Sequence, residues 1–165
     1  MFIHEADLFK GMSEEVTTEI DKIMVEESHG EGVSLFREGD PANTFYILAA
    51  GRVKLTIGKE GYITHVVSNP GEAFGWSSLA GHGFYTASAE CSIPTKVLKL
   101  EREELDKIFE RHPASGLRFF KRLAGVVGKR LMNSYHFLLA SYGGEGPQTY
   151  GISEAVETEK HLQSQ

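Results

Sequence analysis

The residues that offer the most chemistry lie together between Gly71 and Ala89. Gly71-Glu72-Ala73-Phe74-Gly75-Trp76-Ser77-Ser78-Leu79 opens on a glycine turn, and its Ser-Ser-Leu portion is long enough for one helical turn. Backbone N–H groups at the start of such a turn suit an anion such as a phosphate. Ala80-Gly81-His82-Gly83-Phe84 follows, then Tyr85-Thr86-Ala87-Ser88-Ala89, whose small Ala87 and Ala89 let a ligand approach a strand closely. Trp76 and Tyr85 carry two readings. They line one cavity and favour a flat or apolar ligand with a polar handle, or they fill that space themselves. Ser77 and Ser78 either bind an anion or act as a helix cap and a turn.

Other chemistries find little support. His29, His65 and His82 are far apart and lack metal-ligand spacing, and no Cys-x-x-Cys-His attaches a haem. No metal or other cofactor is expected. Cys91 lies on the small-residue face of a strand and reads as core. There is no P-loop, dinucleotide fingerprint or Gly-x-Ser-x-Gly elbow, and Glu72 and Glu90 form no paired-carboxylate site. No catalytic residue is assigned and the chain is not expected to be an enzyme.

The elements that must position this segment follow from pattern. The sequence has 165 residues, enough for one domain with its own core. Lys and Arg number 17 against 23 Asp and Glu, a net charge of −6 that disfavours a phosphate-backbone partner. The single cysteine excludes an internal disulfide and suits a reducing compartment. With no basic leader and no bilayer-length apolar run, the expectation is a cytoplasmic protein away from membranes and nucleic acids.

Leu8, Met12, Val16, Ile20 and Met24 recur at helical spacing, with Ser13 as N-cap and Glu14 and Glu15 in the first turn. From about Ser28 the pattern becomes strands and turns. Val33–Phe36, Thr44–Ala49, Arg52–Ile57, Tyr62–Val67, Thr86–Cys91 and Lys96–Leu100 read as strands between Gly and Pro turns. In Arg52–Ile57 the apolar Val53, Leu55 and Ile57 share one face. This is a mainly β chain with flanking helices: an antiparallel jelly roll from about Glu27 to Glu101. A short amphipathic helix, Arg102–Glu110, stops at His112-Pro113. One long helix then runs from about Ala114 to Ser141. Phe120, Ala124, Val127, Leu131 and Leu138 make a heptad-like seam along it, with Gly125 and Gly128 beside it. That seam predicts a homodimer. Residues 1–141 form the expected domain, and 142–165 an acidic, loosely held tail.

The ordered set resembles the cyclic-nucleotide-binding domain family, which includes the catabolite-activator-type regulators and kinase regulatory subunits. Residues 71–89 look like the family's phosphate-binding cassette. Phe36-Arg37-Glu38-Gly39-Asp40-Pro41 and Phe45-Tyr46-Ile47-Leu48-Ala49-Ala50-Gly51-Arg52-Val53 resemble its glycine-turn strands. The resemblance covers roughly residues 8 to 141 and implies a ligand site at Gly71, Phe74, Gly75, Trp76, Ser77, Ser78, Tyr85, Thr86 and Ala87.

Two departures stand out. The family cassette reads Phe-Gly-Glu, its glutamate accepting the ribose 2′-hydroxyl, where this chain has Phe74-Gly75-Trp76. An arginine before Thr/Ser-Ala pairs the cyclic phosphate, where this chain has Tyr85. Tyrosine offers one neutral hydrogen bond in place of a charged fork. The expectation is a stand-alone regulatory sensor in signal transduction whose small ligand, nucleotide-like or of another kind, is not ordinary cyclic AMP. The alternatives are a ligand-free interaction module acting on a partner protein and a cyclic nucleotide binder with a rearranged cassette. The family's winged helix-turn-helix is not expected in the 24 residues after Ser141.

Overall fold

The computed structural model describes Ile3 and residues 6–141. Helix α1, Glu14–Ile23, begins where Ser13 accepts a hydrogen bond from the Val16 N–H at 3.4 Å. Glu14 and Glu15 sit in its first turn as expected, the helically spaced Leu8 and Met12 lie ahead of it, and Met24 is its extended C-cap. Eight strands follow: β1 Val25–His29, β2 Ser34–Phe36, β3 Thr44–Ala50, β4 Val53–Ile57, β5 Tyr62–Val67, β6 Ala73–Phe74, β7 Ser88–Cys91 and β8 Thr95–Glu101. Two helices close the order, α2 Arg102–Arg111 and α3 Pro113–Ser141.

The strands form two four-stranded antiparallel sheets, β1-β8-β3-β6 and β2-β7-β4-β5. This is the expected jelly roll. Two strands were not foreseen. β1 reads Val-Glu-Glu-Ser-His, a charged edge strand without alternation, and it joins β8 through Glu26–Lys96 at 3.0 Å and Glu27–Lys99 at 3.5 Å. β6 has two residues, too few for any period. Val53 and Leu55 are buried as predicted, but Ile57, beside the hairpin turn, is exposed.

β3 is covered on both faces. Tyr46 and Leu48 enter the roll's core with Phe36, Val53, Leu55, Val67, Phe74, Tyr85, Ala89 and Val97. Phe45 meets the helical layer, its ring 5.9 Å from Phe119, which also touches Phe9 and Phe109 at 5.0 Å each. Gly51 is required where β3 turns into β4: at φ 98° an added Cβ would lie 2.6 Å from the Pro94 carbonyl.

The chain divides into two compact units, Met1–Leu123 and Ala124–Gln165. The described part of the second is the distal helix, on which Leu131, Met132 and Phe137 are exposed. Residues 142–165, the predicted tail, lie outside the described residues. Among the described residues no helix is long and apolar enough to cross a membrane.

Candidate functional site

The segment singled out by sequence leaves β5 through the turn 68–72. The Glu72 carboxylate organises that turn by accepting from the N–H groups of Ser68 at 3.2 Å and Asn69 at 3.3 Å. It also meets His65 Nε2 at 2.6 Å. β6 then pairs with β3, Phe74 opposite Tyr46 and Ala73 opposite Ile47. At Gly75 the backbone takes φ 72°, which glycine adopts without strain. An added Cβ there would lie 3.1 Å from the Tyr46 ring.

The helical turn expected at Ser-Ser-Leu is a 3₁₀ turn, Trp76–Ser78. Both serine hydroxyls are buried and engaged. Ser78 Oγ donates to the Gly75 carbonyl at 2.9 Å. Ser77 Oγ lies 3.1 Å from Thr86 Oγ1 and accepts from the Thr86 N–H at 3.4 Å. Ser77 thereby joins the two halves of the cassette.

Tyr85 is built into the core. It is 4% exposed, and its ring stacks on Phe36 with centroids 3.8 Å apart and planes 13° from parallel. Its hydroxyl donates to the Thr44 carbonyl at 2.7 Å and accepts from the Thr44 N–H at 3.2 Å. The phenol's single proton is thus committed to β3. Burial raises the pKa of Tyr85, and likewise that of Tyr46, so both stay neutral. Phe36, Tyr46, Phe74 and Tyr85 form one aromatic cluster beside Gly75, with Tyr46 and Phe74 stacked at 5.3 Å. Trp76 is half-buried, Ala87 partly buried, Thr86 exposed and Gly71 buried. The structure thus brings Tyr85 together with Phe36 and Thr44, and Ser77 with Thr86.

Sequence reasoning missed Thr44 and His65. Thr44 lies 41 positions from Tyr85, and its role is carried by main-chain atoms that no pattern marks. His65 had a signal: it shares the inward parity of Val67 on β5. Cys91 is buried, which pushes its thiol pKa up and leaves it an inert core residue. The described groups that could gather on a cation are Glu15, Glu19 and His112. Glu19 already pairs with Arg111 and with His112. A separate cleft of about 520 Å³ is lined by Asn43, Glu101, Arg102, Glu103, Glu104 and Asp106.

Residues 26–112 match the family described as cyclic nucleotide-binding domain. The chain belongs to that family. It is a regulatory module of the cyclic nucleotide-binding kind, and several relatives carry that module in larger proteins. The cGMP-dependent protein kinase egl-4 of Caenorhabditis elegans is 28% identical over 111 residues, 65% of this chain but 14% of the kinase. The cyclic AMP receptor protein of Thermus thermophilus is 30% identical over 109 residues, 61% of this chain and 46% of the receptor. Thus the chain spans less than half the length of either relative. Among solved structures, a protein from Geobacter metallireducens described as cyclic nucleotide-binding superposes with a TM-score of 0.70 at 28% identity, covering 78% of this chain and 95% of that one.

Proposed function

We propose that this cyclic nucleotide-binding domain is a sensor whose ligand is not ordinary cyclic AMP. The observation that carries the reading is the Tyr85 hydroxyl. It stands where the family places its phosphate-pairing arginine, and both its hydrogen-bonding capacities go to Thr44. A phosphate monoanion brought there meets a neutral, already bonded phenol, and burying an unpaired charge is costly. Trp76, at the position of the ribose-binding glutamate, offers a stacking surface. Together these favour a flat, uncharged small molecule, held by Trp76 and the small residues Gly75 and Ala87. Gly71, Phe74, Ser77, Ser78, Tyr85 and Thr86 shape the site around it.

The output runs through a homodimer. Along α3, Phe120, Ala124, Val127 and Leu131 are exposed and Leu138 is partly buried, which fits a seam awaiting a second copy. The domain spans residues 1–141, and with no catalytic residue assigned it acts through its dimer or a partner protein.

One observation favours a second reading, an interaction module without a ligand: the aromatic cluster of Phe36, Tyr46, Phe74 and Tyr85 occupies the interior beside Gly75. Native mass spectrometry of the freshly purified chain separates the two. A copurified small molecule that is lost on Trp76→Ala supports the sensor. A bare chain supports the interaction module, and an adduct with the mass of cyclic AMP overturns the proposal.

A further inference from the structure

The entry to the cassette is fastened to both sheets. On the first sheet the ties are main-chain: the Gly71 N–H donates to Leu48 O at 2.8 Å, and the Leu48 N–H donates to Glu72 O at 2.9 Å. On the second the tie is a side chain, His65 of β5, 2.6 Å from the Glu72 carboxylate. His65 pairs with Leu55 across the β4–β5 ladder, next to the buried pair Val53 and Val67. The pair is partly withdrawn from water, with 32% of the His65 side chain and 19% of that of Glu72 exposed. Protons still reach it.

Resting on the reading of residues 71–87 as the ligand segment, we propose that His65 and Glu72 are its positioning pair. They latch the two sheets under the cassette, and protonation of His65 tightens the latch. As an imidazolium, His65 makes a charge-assisted bond to the carboxylate. As a neutral ring it donates from Nε2 in one tautomer only, and more weakly. The carboxylate it holds is the one that caps the Ser68 and Asn69 N–H groups, so a looser His65 loosens the turn that feeds β6 and Trp76. The charged residue of β4, Lys54, lies on the opposite face and bonds Glu90 at 2.9 Å. β6, the turn residues Ser68, Asn69 and Pro70, and the 3₁₀ turn carry no charged side chain.

Trp76 is the sole tryptophan of the sequence, so its fluorescence reports the cassette directly. The test is the full chain without ligand, between about pH 5 and 8, with His65 protonation followed by NMR on its imidazole. The expected result is a shift of Trp76 emission whose midpoint coincides with the His65 titration. The shift should persist in His82→Gln, which removes the cassette's own histidine. It should vanish in His65→Gln and in the isosteric Glu72→Gln, each folded by circular dichroism. A flat emission profile in the unaltered protein, or a shift that survives in either of those two variants, overturns the latch. Because no ligand is added, that outcome leaves the sensor reading standing, and a copurified cyclic AMP would defeat the sensor reading without touching the latch.

Discussion

The cassette end at Tyr85 and the distal part of α3 both carry large apolar side chains, and they treat them in opposite ways. Tyr85 is sealed: its ring is covered by Phe36 and its hydroxyl is spent on Thr44. Phe137 is 74% exposed and Leu131 49%, with helical backbone satisfied along its own axis and side chains left to water. An internal contact that is already satisfied gains little from a newcomer. An exposed apolar row gains from whatever covers it. The difference separates the part of the molecule that has closed on itself from the part whose apolar side chains are left to water.

That contrast breaks most visibly at the sealed end. Tyr85→Ala should destabilise the domain by about 3–5 kcal/mol, as large-to-small changes of buried aromatics do. Phe137→Ala should stay within about 0.5 kcal/mol for the isolated chain. Thermal or urea unfolding of the two variants side by side gives the comparison, and equal losses would erase it. Tyr85→Phe isolates the polar part. It keeps the stack on Phe36 but strips the Thr44 N–H and carbonyl of their partner, and should cost about 1–3 kcal/mol in the same assay.

The open end has its own test. Val127→Asp with Leu131→Asp should convert dimers to monomers in sedimentation while leaving the fold intact. A wild-type chain that stays monomeric at about tens of micromolar removes the dimer, since assembly follows mass action.

The smallest expected effect lies where α1 meets the α2–α3 joint. Arg111 first, then His112, hold the Glu19 carboxyl below its ordinary value of 4.5. A depressed carboxylate stabilises the fold above the unfolded-state pKa, and that contribution fades as pH falls through the folded one. Wild type and Glu19→Gln should therefore differ in Tm at pH 7 and converge below about pH 4. A gap that is unchanged across that range would show that the pair contributes nothing through charge.

Much of the roll was legible because its strands alternate and its turns carry glycine. Tyr62–Val67 and the short helix after Glu101 fall where the pattern puts them. β1 was not, because an edge strand needs no apolar face and is held here by Glu–Lys pairs. The start of the N-terminal helix was legible in Ser13, which caps it with Glu14 and Glu15 in the first turn, although Leu8 and Met12 keep helical spacing ahead of it. On β5 parity places Ile63 inside with His65 and Val67, yet the bulge at Leu55/Thr56 pairs it with Thr56 and leaves it exposed. At the site, the replacement of the expected charged residues by Trp76 and Tyr85 was visible in one dimension. The turning of Tyr85 onto Thr44 was not, because main-chain partners 41 residues away leave no trace in residue type.

On the proposed reading Tyr85 and Trp76 take the place of both charged contacts of the ordinary nucleotide site, and calorimetry with cyclic AMP measures what that replacement costs. Losing two charge-assisted contacts should cost about 3–6 kcal/mol, roughly 100- to 10,000-fold in affinity relative to a family member that keeps both. The unaltered chain should bind cyclic AMP that much more weakly, and Trp76→Glu with Tyr85→Arg, where it folds, should regain measurable heat. A sub-micromolar dissociation constant for cyclic AMP in the unaltered chain would overturn the proposed specificity.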